Sequence, residues 1–449
     1  MPKTINLNRG YDIRLVGEAA TFLGEEKNPA TFALKPSEFN DFRPKLLVRE
    51  GEEVKAGTIL FYDKSNESAQ FASPVSGEVV EIKRGPKRVI EEYKILADKN
   101  IEFLDLGAAD PSSMDREEII QKLIDGGCWP FIRQRPFDVI ADRNDKPKAI
   151  HISCFNSAPL APDMDFIVEG YEEYFQTGLD VLKQLTQGKV HLNIHATETR
   201  NKAFTEAEGV QINKFKGPHP AGNVGIQIHH LDPINKGEIV WVIRPQDLII
   251  IGRLFLEGKY DTERKVAITG QSVLQRKYYK LRLGANIESL VKDNVEDGNL
   301  RYISGDVLTG TKIYENGYLG YYDNQLTVIP EGDDPEFQGW LLPSYPRPTI
   351  SQTFPWAFNP ELKFKVNTNT HGERRSFVVT GEYERVLPMD IYPVFLLKAI
   401  MTQDFDKMEG LGIYEVAPED MALCEFVCTS KTPVQSILRE GLELMRKED

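Results

Sequence analysis

Residues 126–136 read Gly126-Gly-Cys-Trp-Pro-Phe-Ile-Arg-Gln-Arg-Pro136, and the fold is decided there. The stretch follows a segment of helical spacing and precedes one of strand character, where a nucleotide-binding fold carries its phosphate loop. Such a loop needs glycines, so that backbone N–H groups can reach the anion with no side chain between. Here Gly126 and Gly127 end the helix, and Trp129, Phe131, Arg133 and Arg135 follow. Bulky rings and two guanidiniums stand where a dinucleotide needs room. The frame of a nucleotide-binding fold is present, and its loop is not.

Upstream, Ser112 and Ser113 are candidate N-caps, and Asp115, Glu117 and Glu118 suit the positive end of a helix dipole. Ile119, Ile120, Leu123 and Ile124 form one apolar face, and the two glycines stop the helix. Downstream, the pattern predicts strands over 149–154, 190–195, 241–243 and 266–269, with helices over 169–187 and 245–256. Strands alternating with helices imply βαβ units and a mostly parallel sheet, so residues 111–270 read as a Rossmann-like α/β domain. Parallel sheets place ligands at the carboxyl ends of their strands. The loops 155–165 and 217–233 lie there.

On the N-terminal side, Val48-Arg-Glu-Gly-Glu-Glu-Val-Lys-Ala-Gly57 and Ser73-Pro-Val-Ser-Gly77 sit among short alternating strands. The pattern resembles biotinyl/lipoyl-type domains and predicts a compact β-sandwich within residues 1–110. In a swinging-arm carrier a lysine stands at the hairpin tip. Here the midpoint falls on Asn66 and Glu67, and Lys64 is off-centre. On the C-terminal side, predicted strands at 278–283 and 300–303 flank a short helix at 287–292. With Ser304-Gly-Asp-Val-Leu-Thr-Gly310 they suggest a ubiquitin-like β-grasp unit within 271–375. Residues 311–375 are rich in proline and aromatics, with little periodicity, and read as an arm on a partner or as irregular cover. The tail, 376–449, reads as helical over 394–408, 421–427 and 434–447.

The chain has 449 residues, enough for roughly three domains. A formal net charge of −14 argues against a general nucleic-acid binder, which presents a basic face. No run approaches the ~18 apolar residues of a membrane span, and the first residues lack the apolar core of a signal peptide. Four cysteines in so long a chain fit a reducing compartment.

Cys424 and Cys428 share a helix face. A ferredoxin-type C-x2-C-x2-C-x3-C spacing ending at Cys428 would need cysteines at 418 and 421 as well, where the chain has Pro418 and Met421. Half a ligand set points to buried free thiols. Of seven histidines, His219, His229 and His230 fall within residues 217–233. A neutral imidazole there can donate to a quinone carbonyl, whereas Pro218 and Pro220 also suit a plain rigid turn. If that stretch is a strand, His229 and His230 lie on opposite faces. No carboxylate spacing supports a metal. Phe131, Arg133 and Arg135 could cradle a quinone headgroup, or could anchor the loop on acidic residues of the same chain.

Taken together, Arg135-Pro-Phe137, Asn156-Ser-Ala-Pro-Leu-Ala161, Gly217-Pro-His-Pro-Ala-Gly222, Leu231-Asp-Pro233, Ser304–Gly310 and Cys424-Glu-Phe-Val-Cys428 resemble one family nearly end to end. It is the NqrA family, the A-type component of the bacterial sodium-translocating NADH:quinone reductase. The order of parts is also similar to the flavin subunit of complex I and to the C component of the Rnf complex. Both relatives carry a glycine-rich flavin loop and a cysteine cluster motif, and this chain departs from them at both places. The resemblance implies a β-sandwich, a Rossmann-like domain, an SLBB-like β-grasp domain and a helical tail. It also implies a peripheral subunit on the cytoplasmic side of the inner membrane, with no flavin or iron–sulfur cluster of its own. Ubiquinone is then the expected ligand, other subunits (an integral membrane one above all) the partners, and NADH and Na+ their business. The candidate quinone contacts are Phe131, Arg133, Arg135, His219, His229 and His230. Competing expectations are a docking scaffold without quinone, a flavin-binding NADH dehydrogenase subunit, and a carrier modified at Lys64.

Overall fold

A computed structural model describes residues 4–332, 336–339, 341, 343, 345–351 and 353–448. At its centre is a seven-stranded sheet in the order Thr4–Asn6, Gln211–Lys216, Lys189–His195, Ala149–Ser153, Val240–Val242, Arg133–Arg135, Val139–Ile140. The first five are mutually parallel, Arg133–Arg135 pairs antiparallel with the fifth, and Val139–Ile140 pairs antiparallel with Arg133–Arg135. The N-terminal strand thus leaves the sandwich and pairs with Gln211–Lys216, as Thr4↔Lys214 and Asn6↔Lys216.

Alternation along Lys189–His195 explains the layering. Val190, Leu192 and Ile194 share one core with Phe175, Leu179 and Leu182 of the Glu172–Leu185 helix. His191 and Asn193 point to the other face, where Asn213 reaches both, at 3.1 and 2.9 Å. There Gln227, from the Val224–Leu231 helix, donates to Ser153 Oγ at 2.8 Å. Parallel sheets are usually apolar on both faces, and this one is polar on the face beneath that helix.

The predicted helix upstream of residue 126 is found at Arg116–Asp125, but Asp115 caps it, in a reciprocal box with Glu118. Ser112 and Ser113 belong to a short turn capped by Asp110. The strand expected at 266–269 exists as Arg264–Thr269 but lies in another sheet. That five-stranded sheet runs Tyr278–Leu281, Arg264–Thr269, Gln325–Pro330, Leu300–Ser304, Thr311–Ile313. Its Gln325–Pro330 strand falls inside the stretch expected to lack periodicity. Gln325 and Thr327 hide it, because both are buried polar residues in a network with Thr269. Of the aromatic run 339–348, residues 340, 342 and 344 lie outside the described residues.

The sandwich packs a four-stranded sheet (Thr31–Leu34, Ile90–Ala97, Gly77–Arg84, Glu53–Val54) on a three-stranded one (Pro44–Leu46, Ile59–Asp63, Gln70–Ala72). Phe61, Phe71 and Tyr93 fill it. Gly77, which ends the Ser-Pro-x-x-Gly motif, has φ of 147°, and a Cβ there would sit 1.9 Å from the Leu96 carbonyl oxygen. Only glycine fits. The helix expected over 394–408 is two, Pro393–Met401 and Phe405–Gly410, because Asp404 caps the second through the Lys407 N–H. The C-terminal helices share a core with Leu7, Ile13 and Leu15.

Candidate functional site

A cavity of about 180 Å³ opens at the carboxyl end of the parallel strands. Ser153, Phe155 and Asn156 leave the Ala149–Ser153 strand there, and Val242, Ile243 and Arg244 leave the Val240–Val242 strand. The helices Val224–Leu231 and Pro245–Glu257 begin at its wall, neither start capped by a side chain. Asp323 and Asn324 close it from the five-stranded sheet, and Glu419 from the C-terminal region. Three parts of the fold therefore meet around one space, where open α/β sheets bind their ligands.

The 126–136 stretch forms one wall. Gly127 turns the chain at φ 67°, and a Cβ there would lie 2.4 Å from the Ala72 Cβ. Trp129 is buried, donates from Nε1 to the Ala141 carbonyl at 2.8 Å and packs edge-on against Trp241 at 5.5 Å. Phe131 stacks on Tyr321 at 5.3 Å. The rings belong to the core and only the rim of Phe131 meets the cavity.

The arginines are anchored. Arg133 pairs with Asp138 and lies 5.1 Å over the Tyr322 ring, and Arg244 lies 5.4 Å from the same ring. Arg135, 4% exposed, reaches Glu419 at 2.7 Å, Asp138 at 3.5 Å and Asp420 at 3.8 Å. Arg439 donates to Asp138 at 2.9 Å and to the Phe137 carbonyl at 2.8 Å. Three cations face three carboxylates at the seam between the sheet edge and the C-terminal helices. Burial alone would raise the Asp138 carboxyl, but Arg133, Arg135 and Arg439 outweigh it and hold it far below the usual range. Burial wins at Asp420, which is pushed up to about 7 although Arg135 pulls the other way.

His219 is buried in the cavity wall. The Ser157 hydroxyl already accepts the Gly222 N–H at 2.8 Å, and it lies 3.0 Å from His219 Nδ1. The direction of that bond follows the tautomer: where Ser157 donates to Nδ1 the ring hydrogen sits on Nε2, and where Nδ1 donates Nε2 is a bare acceptor. Nε2 has no partner among the described residues. Burial lowers the imidazole to about 4, so it is neutral near pH 7. A neutral imidazole nitrogen without a partner lies at the cavity wall.

The structure brings Phe131, Arg133, Arg135 and His219 to this cavity and takes His229 and His230 elsewhere. Residues 224–231 form a helix, not a strand, started by the turn at Pro220 and Asn223. Its last turn points both histidines at the C-terminal region. His229 donates from Nδ1 to Glu415 at 2.6 Å and accepts the Asp390 N–H at 3.0 Å, while His230 reaches the Pro388 carbonyl at 2.7 Å. Sequence reasoning missed Ser157, Arg244, Tyr322 and Asp247 around the cavity. Asp247 carried a faint signal, since an acid two residues after a helix-starting proline reads as a dipole partner. All four cysteines are buried and free, and among the described residues no cluster suits a metal ion. Nor is any described helix long and apolar enough to cross a membrane.

Three family models match the chain: the NqrA N-terminal barrel-sandwich hybrid domain over residues 5–98, the NqrA second alpha/beta domain over 114–260, and the NQRA C-terminal domain, of SLBB type, over 265–315. The chain is 38% identical over 449 residues to the A component of the Na(+)-translocating NADH-quinone reductase of Serratia proteamaculans (strain 568), covering 99% of this chain and 100% of that one. It is 35% identical over 447 residues to the protein of the same name from Vibrio atlanticus (strain LGP32), with the same coverage. A solved NAD+-reducing NiFe hydrogenase in the air-oxidized state aligns over 42% of this chain and 41% of its own, at 13% identity and a TM-score of 0.32. That likeness is too slight to carry fold or function. With relatives matched from end to end, and family models covering the sandwich, the α/β domain and the SLBB-type domain, this chain belongs to the NqrA family of Na(+)-translocating NADH-quinone reductase subunits.

Proposed function

We propose that the chain is the peripheral, hydrophilic subunit that receives the ubiquinone headgroup in the cavity beside His219. The carrying observation is the buried His219 Nε2 with no partner among the described residues, which is a donor in the tautomer where Ser157 donates to Nδ1. A buried donor left unpaired costs about 1–3 kcal/mol, and a quinone carbonyl supplies what is missing. The uncapped starts of two helices add N–H donors around the same space. A volume of about 180 Å³ suits a single substituted ring, since a cavity of about 150 Å³ accepts benzene.

On this reading flavin and iron–sulfur chemistry, NADH oxidation and sodium movement sit in other subunits. The chain docks on the cytoplasmic side against an integral membrane subunit, and its α/β domain is a Rossmann-like frame that has given up its nucleotide. Arg135 and Arg133 hold the wall in place, while Phe131 offers a ring edge. Photo-crosslinking of the intact complex with a quinone probe tests this. Label is expected at residues 153–158, 219–224 or 242–247 and should be lost in His219→Phe, which removes the donor and keeps the bulk. Label confined to the sandwich or to the C-terminal helices refutes it.

A further inference from the structure

Asp247 is a second wall residue that is nearly fully buried and leaves a side-chain oxygen idle beside the ring site. It stands in the first turn of the Pro245–Glu257 helix, 1% exposed. Its Oδ1 accepts from Arg264 Nη2 at 3.1 Å, and its Oδ2 has no partner among the described residues. The groups around it come from every neighbouring element. Arg264 lies on the adjoining strand and Arg244 at its own helix start; Arg133 comes from the sheet edge, Cys128 from the glycine turn, and Tyr260 and Tyr322 from flanking loops. An ion pair alone does not call for this arrangement. What sets Asp247 apart is that its idle oxygen belongs to a residue lining the cavity.

We propose that Asp247 is a catalytic residue of quinone reduction, donating the proton that one carbonyl oxygen takes up. This rests on the cavity being the quinone site. Two electrons come from NADH through the reductase complex. The O–H bond on Asp247 Oδ2 breaks as an O–H bond forms on the nearer quinone oxygen. The carboxylate left behind is held by Arg264 and recovers its proton from solvent through the partly open mouth of the cavity. The second oxygen, beside His219 Nε2, takes its proton from solvent, so that quinone, two electrons and two protons give quinol. Burial raises the Asp247 carboxyl above its ordinary range in spite of Arg264, Arg244 and Arg133.

The test uses the whole complex carrying Asp247→Asn, and separately Asp247→Asn with Arg264→Gln, which keeps the buried pair neutral. Quinone crosslinking, kcat, KM and their pH dependence are measured on each. Expected is unchanged label in the cavity and near-normal KM, with kcat lower by about 100-fold or more and its dependence on pH flattened. Retained label with the pH profile of the unmodified complex overturns the role of Asp247 and leaves the quinone site standing. Absence of label from the cavity of the unmodified complex overturns the site itself. Should neither variant assemble, the infrared difference spectrum of the unmodified complex on quinone reduction decides. Followed in time, a protonated carboxyl band must be lost as quinone is reduced and return on reprotonation, and its absence sinks the proposal.

Discussion

Replacing Asp420 with asparagine should stabilise the protein above neutral pH, although it removes a carboxylate facing an arginine. Asp420 is fully enclosed. A Cβ on Gly225 would lie 2.1 Å from its Oδ2, that oxygen accepts the Ala417 N–H at 2.9 Å, and Oδ1 has no partner among the described residues. Its cation, Arg135, stands 3.8 Å away and is already engaged by Glu419 and Asp138. Burial therefore exceeds attraction, and the carboxyl rises from 3.8 to about 7. A raised carboxyl binds its proton more tightly in the folded state than in the unfolded one. Its stabilising contribution is complete below the unfolded value and is lost as pH climbs from about 4 through about 7.

The span is about three units, and at 1.36 kcal/mol each the loss is about 4 kcal/mol as an upper bound. Asparagine mimics the protonated carboxyl and keeps an oxygen for the Ala417 N–H. It should cancel most of that loss at pH about 8.5 and change little at pH about 4. Thermal unfolding of the isolated chain, followed at both pH values, measures the difference. A higher midpoint for Asp420→Asn at the alkaline pH only is expected. A lower midpoint there would show that the Arg135–Asp420 pair stabilises as an ion pair, and that the burial argument is wrong.

Gly127→Ala should cost about 1–3 kcal/mol, because it meets both a positive φ and the Ala72 Cβ at 2.4 Å; a melt unchanged from the parent protein counts against the role given to the glycine turn. His229→Ala should cost about 1–3 kcal/mol by stranding Glu415 and the Asp390 N–H, yet leave quinone labelling intact. Loss of label in that variant would return His229 to the site.

How far the sequence could be read depended on which interactions repeat along the chain and which do not. Apolar periodicity is a local signal, and it located the Arg116–Asp125 and Pro245–Glu257 helices and the strands Ala149–Ser153 and Lys189–His195 to within a few residues. The carboxyl-end rule then placed the cavity, since the strands to which it applies were the legible ones. Strand membership was not legible. Arg264–Thr269 has the same apolar run whichever sheet receives it, and Thr4–Asn6 carries too few residues for any pattern. Polar core strands such as Gln325–Pro330 invert the usual signal, because their side chains satisfy one another out of water.

The same reasoning separates the site residues that were found from those that were missed. Arg133 and Arg135 were conspicuous because a cation is costly to bury, so a pair of them in an apolar run had to be answered by something. The sequence could not say that the answer lay at Glu419, 284 positions beyond Arg135, and at its neighbour Asp420. Asp247 drew no notice because an acid in the first turn of a helix is ordinary. Only the fold sets it against Arg264, Arg133 and the cavity. A residue whose chemistry suits its local position stays hidden until tertiary contacts show that its local position is not where it works.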